Sequence, residues 1–159
     1  MAELDNIAES VARRLIERKE SVAVAESAAG GRISAALLGV AGASAYFKGG
    51  AVVYTADGIK QLVALTDTEL ELHRSATVGR SAMLATAIRR RLGATWGIAE
   101  TGAAGPTGNR YGDAAGHAAL AVSGPFERTQ VIETGQSDRR ENMEKFAVAA
   151  LTMLLEALE

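Results

Sequence analysis

Ser44, Tyr54 and Lys60 supply a hydroxyl, a phenol and an amine within one short stretch of this 159-residue chain. A serine is a poor nucleophile until a base takes its proton. A lysine can act as that base only when neutral, which requires desolvation or a neighbouring cation. Tyr54 adds a hydroxyl that would relay the proton or position the amine. The same three residues also read as a loop serine, a core tyrosine and a surface lysine, and spacing alone favours that plainer reading. The chain has no cysteine, which excludes disulfides, thiolate metal sites and a cysteine nucleophile. Its two histidines, His73 and His117, lie far apart in sequence. No histidine-based metal site is expected, and no cofactor.

Three other segments carry polar or glycine-rich sequence at places where ligands bind. Ala25-Glu26-Ser27-Ala28-Ala29-Gly30-Gly31 reads as a strand end, a serine and two glycines opening a helix. The N–H groups and positive dipole end of such a helix suit an anion, although for this segment alone a tight turn capped by Ser27 is the better fit. Thr101-Gly102-Ala103-Ala104-Gly105-Pro106-Thr107-Gly108 lets backbone approach a ligand closely, but it is neither a P-loop nor a dinucleotide fingerprint. Arg139 stands at the start of the last helix, where the dipole disfavours a cation. An anion such as a phosphate, held bidentately, would explain it, and so would a solvated side chain.

The elements that must position these residues follow from periodicity and punctuation. Leu4, Ile7, Val11 and Leu15 give an opening amphipathic helix. Strands are expected at Ser21–Glu26, Ala51–Thr55 and Thr95–Thr101. A helix begins after Gly30-Gly31. Thr66 and Glu69 form a capping box. A helix over Arg80–Leu92 stops at Gly93, and a glycine-rich loop runs from Gly102 to Gly116. Ala118–Val122 and Thr129–Glu133 form a hairpin around Ser123-Gly124-Pro125. Asp138 and Glu141 open a long final helix carrying Phe146, Ala150, Met153 and Leu154. Strands alternating with helices and a terminal hairpin imply a single three-layer α/β/α domain over 1–159, with a mixed, mostly parallel sheet. In such sheets ligands bind beyond the carboxyl ends of the strands, where Ser27, Tyr54 and Thr101 fall.

Composition narrows the function classes. Hydrophobic residues make up 48% and charged residues 23%, as in a globular chain. The formal charge of −2 offers no general attraction for nucleic acid, and Arg89-Arg90-Arg91 reads as a solvated helix end. The N-terminus is amphipathic and acidic, with neither a signal-peptide core nor a membrane span, so a cytoplasmic location is expected. A homodimer is the default assembly, C2 being the commonest closed symmetry.

Taken in order, the segments resemble the CinA C-terminal domain family. Its members share an Ala-Glu-Ser strand end followed by two glycines, and a Gly-Ser-Ser-Ala-type turn with an aromatic. A Gly-x-Val-x-Tyr-Ser/Thr strand with a lysine soon after comes next, followed by a Thr-Gly-x-Ala-Gly-Pro loop. A glycine-led strand and a Gly-Asp-Arg entry to the last helix complete the pattern. Here these are Ala25–Gly31, Gly42–Phe47, Gly50–Thr55 with Lys60, Thr101–Pro106, Gly116–Val122 and Gly135–Arg139. The resemblance implies hydrolysis of the carboxamide of nicotinamide mononucleotide by a metal-free Ser/Lys mechanism, in pyridine nucleotide recycling. It implies Ser44 as nucleophile, Lys60 as base and Tyr54 beside them, with Ser27 as the rival nucleophile. Ser27, Gly30, Gly31, Thr101, Gly102 and Gly105 would shape the pocket, and Arg139 would hold the substrate or its phosphate. The chain departs from the pattern at Ala28-Ala29 and Ala43, where hydroxyl residues are usual. It also departs in the six-residue step from Tyr54 to Lys60 and the loosened stretch Gly135–Arg139. His117 stands where a small hydroxyl residue is common, either as a substitute base or as an ordinary strand-end histidine.

Overall fold

The computed structural model describes residues 2–159. Helix α1 (Ala2–Arg18) turns Leu4, Ala8, Val11, Ala12 and Leu15 inward. Strand β1 (Val22–Glu26) follows, then helix α2 (Arg32–Leu38), a 3-10 turn at Ala43–Ala45 and strand β2 (Phe47–Val52). Helices α3 (Ala56–Val63), α4 (Asp67–Leu72) and α5 (Val78–Leu92) lead to β3 (Trp96–Ala103), β4 (His117–Ser123), β5 (Arg128–Glu133) and the final helix α6 (Arg139–Ala157).

The five strands form one sheet in the order β2-β1-β3-β4-β5. β1 pairs in parallel with β2 and β3, and β4 runs antiparallel to β3 and β5. Four strands therefore point one way and only β4 reverses. One face carries the larger core, in which α1, α2 and α6 cover Val22, Val24, Ile98 and Leu120. On the other face α3, α4 and α5 pack over small residues, Ala23, Ala25, Ala99 and Ala121. Gly97 sets how close α5 can come, because a Cβ there would collide with the Ala85 carbonyl oxygen.

The expected helix signals hold. The Thr66 hydroxyl accepts from Glu69 N while the Glu69 carboxylate accepts from Thr66 N. Gly93 closes α5 at φ 63, and Asp138 caps α6 by accepting from Glu141 N at 2.9 Å. Arg89, Arg90 and Arg91 fill the last turn of α5, where the helix dipole favours cations.

The second strand differs from expectation. It occupies Phe47–Val52 rather than Ala51–Thr55, and Thr55 is the N-cap of α3, accepting from Gly58 N at 3.1 Å. The strand also contains an irregularity, since Val22 pairs with Phe47 and Ala23 with Gly49, which leaves Lys48 as a bulge residue. The third strand runs two residues past Thr101, so Gly102 and Ala103 belong to the ladder rather than to the loop.

Candidate active site

Two carboxylates organise the carboxyl end of the central strands. Glu26 and Glu100 end neighbouring strands in register, on the face covered by α2 and α6, and both are fully buried. Glu26 Oε1 accepts from Gly31 N at 2.8 Å and Ile33 N at 3.1 Å, and its Oε2 accepts from Ser34 N at 2.9 Å. Glu100 Oε2 accepts from Ser27 N at 3.1 Å and Ala29 N at 2.8 Å. Glu100 Oε1 has no partner among the described residues. Burial pushes the Glu100 carboxyl up to about 7, aided by the charge of Glu26 and opposed by the N–H groups of Ala29, Ser27 and Ala28.

This geometry corrects the expectation for Gly30 and Gly31. The N–H groups that would have met an anion already bind the protein's own acceptors. Gly30 donates to Ser27 O at 3.1 Å, and Gly31 donates to Glu26. The two glycines serve the turn's shape instead, at φ 66 and 98, and a Cβ on Gly30 would lie 2.6 Å from Met143 Cε.

Tyr54 and Arg139 meet beside this turn. Tyr54 is 67% exposed. Arg139 Nη2 donates to its hydroxyl at 3.1 Å, and Nη1 donates to Gly105 O at 2.5 Å. Asn142, one turn along α6, donates to Ala104 O at 2.8 Å and Gln136 O at 2.9 Å, and accepts from the Thr134 hydroxyl at 2.6 Å. The start of α6 thus ties the glycine loop down, and the guanidinium faces a carbonyl and a phenol. Ser27 is half-buried at the same end of the sheet.

Thr101 and Gly102 do not join this group. Alternation along β3 turns Thr101 to the α5 side, where its hydroxyl accepts from Ala76 N at 3.1 Å. Gly102 stands against Ala118 in the ladder, and a Cβ there would be 2.5 Å from His117 O. His117 is a structural pin. One ring nitrogen bonds Glu133 at 2.5 Å and the other bonds Ala76 O at 2.8 Å. Burial lowers its pKa, but the Ala76 carbonyl, Glu133 and Asp113 together outweigh this and raise it.

The expected Ser44–Lys60 pair is not formed within one chain. Ser44 lies exposed in the 3-10 turn before β2, fixed by buried Ala43 and by Tyr46, whose hydroxyl donates to Leu37 O. Lys60 lies on α3, after β2. At about 3.3 Å per residue, the six residues of β2 set the two motifs at opposite ends of the strand. Lys60 Nζ sits 3.0 Å from Asp67 Oδ1 and 3.5 Å from Asp57 Oδ1, with the side chain 32% exposed. Asp67, and then Asp57, raise its pKa, the opposite of what a neutral base needs. A groove of about 720 Å³ runs over α3 and α5 past Val63, His73, Met83 and Arg90, and its lining includes none of the expected site residues.

A family model described as the CinA C-terminal domain matches residues 4–158. The chain belongs to the CinA C-terminal domain family. A CinA-like protein of Anaeromyxobacter dehalogenans (strain 2CP-C) is 35% identical over 154 residues, covering 97% of this chain and 38% of that protein. One from Prochlorococcus marinus is 41% identical over 123 residues, covering 76% and 28%. The chain therefore spans well under half the length of these relatives. Among solved structures, a competence-damaged protein (CinA) superfamily protein from Klebsiella pneumoniae superposes with a TM-score of 0.91 at 27% identity, over 98% of this chain and 97% of that one. A competence/damage-inducible protein from Agrobacterium tumefaciens gives 0.90 at 26% identity, over 98% and 95%.

Within this CinA domain, sequence reasoning missed Glu26, Glu100 and Asn142 as the groups that build the site. One signal was present. Ala-Glu-Ser at 25–27 and Ala-Glu-Thr at 99–101 end two buried strands alike, and a carboxylate recurring at a buried strand end needs donors, which a following glycine turn supplies.

Proposed function

We propose that this CinA domain hydrolyses the carboxamide of nicotinamide mononucleotide to nicotinic acid mononucleotide and ammonia, without a metal. The observation that carries this reading is the Tyr54–Arg139 contact at the carboxyl end of the sheet, the end at which Ser27 also lies, in a chain of this family. Arg139 keeps guanidinium donors beyond those given to Gly105 and Tyr54, and these suit a substrate phosphate. Neutral Lys60 takes the proton of Ser44, and the Oγ attacks the carboxamide carbon. The proton passes to the amide nitrogen, ammonia leaves, and water cleaves the acyl-enzyme. The N–H groups of the turn after β1 are occupied by Glu26 and Glu100, so the oxyanion falls to the Ala104–Gly108 loop. Ser44 and Lys60 must be brought together for this, and Lys60 must lose the hold of Asp67. Recycling of a pyridine nucleotide assigns the reaction to the cytoplasm.

The test is ammonia release from nicotinamide mononucleotide by the parent and by Ser44→Ala, Lys60→Ala and Ser27→Ala. Loss of a general base costs about 10²–10⁴-fold in rate, so Lys60→Ala should fall in that range with the fold intact, and Ser44→Ala at least as far. Full loss in Ser27→Ala with activity kept in Ser44→Ala would move the nucleophile to Ser27, which already shares an end of the sheet with Arg139. A folded parent that releases no ammonia refutes the hydrolase. The ion-paired Lys60 then favours a nucleotide-binding module, which calorimetry with the same nucleotide would register.

A further inference from the structure

Three successive carbonyls at the end of β3 are each held by a donor. Gly116 N donates to Ala103 O at 2.7 Å, Asn142 Nδ2 to Ala104 O at 2.8 Å and Arg139 Nη1 to Gly105 O at 2.5 Å. Both peptide planes that meet at Ala104 are therefore fixed. Its own N–H donates to no acceptor among the described residues, although Ala104 is only 3% exposed. A buried N–H without an acceptor is rare in a folded chain. Its direction follows from the bond beside it, because C=O and N–H lie antiparallel across a trans peptide. Ala103 O faces β4, so Ala104 N–H faces the other side of β3. Trp96, in step with Ala104 along the strand, donates from its N–H to Ser21 O on that same side. There β1 has already ended, and the turn carrying Ser27 begins. Arg139 spans this space, from Gly105 O beyond β3 to the Tyr54 hydroxyl beyond β2.

We propose that Ala104 N–H donates to the oxyanion of the hydrolysis and that Asn142 is the positioning residue that keeps it aimed. This rests on the hydrolase reading. As the serine Oγ adds to the carboxamide carbon, the carbonyl π pair moves onto oxygen. Ala104 N–H gives that oxygen a hydrogen bond and keeps its proton. The pair then returns, the C–N bond breaks, and the nitrogen leaves as ammonia with the serine proton. Asn142 is fully buried and stands in line with Phe146 and Ala150 on α6, a place for an apolar side chain. Its amide orientation is set from outside. Gln136 N donates to the Thr134 hydroxyl at 3.2 Å, and that hydroxyl donates to Asn142 Oδ1 at 2.6 Å. Nδ2 is thereby turned to Ala104 O and Gln136 O. Both donor hydrogens are spent on backbone, so Asn142 acts through Ala104 and not on the substrate.

The test reads one amide and one rate. The parent, isotopically labelled in nitrogen, is titrated with nicotinic acid mononucleotide, whose carboxylate stands where the oxyanion forms. The Ala104 amide proton should move downfield as it gains an acceptor. Gly105 N–H, turned away from α6 by the hold on Ala104 O, should move less. Loss of one oxyanion donor costs about 10²–10³-fold in kcat. Asn142→Asp keeps the size of the side chain and the acceptor for Thr134, but sets an oxygen against Ala104 O. It should lose at least about tenfold in kcat, with KM changed by less than about twofold. Thr134→Val leaves Asn142 in place, frees its amide to turn over, and should lose kcat in the same way by less. A general loosening of the site would raise KM as well. Ammonia release by a parent whose Ala104 amide stays put in the titration overturns the inference and leaves the hydrolase standing. So does an unchanged kcat in both variants. A parent that releases no ammonia but shows the Ala104 shift keeps the donor and loses the hydrolase. Neither response overturns both.

Discussion

The turn after β1 and the stretches flanking β2 both carry family motifs, and they are built in opposite ways. The Ser27–Ser34 turn is closed from within. Five of its N–H groups bind Glu26 and Glu100, both shielded from water. The β2 flanks are left open. Ser44 is exposed, Tyr54 is mostly exposed, and Lys60 rests on two surface carboxylates. A buried carboxylate that accepts several N–H groups fixes backbone regardless of what binds outside, whereas exposed ion pairs fix little. The first region is scaffold, and the second is held only by contacts at the surface.

The largest expected effect comes from breaking the closed region. Glu26→Ala strips the acceptor from three N–H groups, two of them on or next to buried backbone. At about 1–3 kcal/mol for each unsatisfied donor, a loss of roughly 3–6 kcal/mol is expected in urea unfolding, a large part of a domain's stability. Glu26→Gln keeps one carbonyl acceptor and should lose less. Ser44→Ala, at the open region, should stay within about 0.5 kcal/mol of the parent. Equal losses at both positions would erase the contrast.

A smaller effect separates the two carboxylates of the closed region. The Glu100 carboxyl stands at about 7, against 4.5 for the unperturbed group. Between these values the folded state binds more protons than the unfolded state, so stability attributable to Glu100 falls as pH rises from about 4.5 through 7. A gap of about 2.5 pH units, at 1.36 kcal/mol each, is roughly 3 kcal/mol. Glu100→Gln retains a carbonyl for Ser27 N and Ala29 N and should remove this slope. His117 slopes the same way, because its raised pKa gives stability at low pH that is lost as pH rises through that value. The parent-minus-variant difference isolates Glu100. A difference flat across pH 4–8 would show that the carboxyl titrates normally.

The same contrast explains what is legible in the sequence. Local chemistry is readable where a side chain bonds its own neighbours, as in the Thr66–Glu69 box, the stop at Gly93 and the cap at Asp138. The order of layers follows from periodicity. The bounds of β2 are not legible, because Phe47-Lys48-Gly49-Gly50 lacks a strand's alternation and its pairing to β1 comes from backbone alone. Thr101 faces away from the expected site because β3 extends to Ala103, which fixes the face each residue takes. Ser44 and Lys60 are near in sequence, but an extended strand lies between them. A strand keeps its ends apart, and nothing in spacing alone reveals that.

The smallest effect tests whether the open region is the chemical one. Asp67 is the leading cause of the raised Lys60 pKa, through a bond of 3.0 Å, with Asp57 second at 3.5 Å. Asp67→Asn keeps the size of the side chain and removes its charge, so the Lys60 pKa must fall. If neutral Lys60 is the base that activates Ser44, kcat/KM for ammonia release rises with pH as Lys60 deprotonates. The rising limb should then move to lower pH in Asp67→Asn, with the plateau unchanged. Asp57→Asn should move it the same way and by less. Asp67 is itself exposed, so unfolding by urea should not change. A limb that stays put in both variants would assign the titration to another group and take the base role from Lys60, leaving Glu100, in the closed region, as the carboxyl that titrates near neutrality.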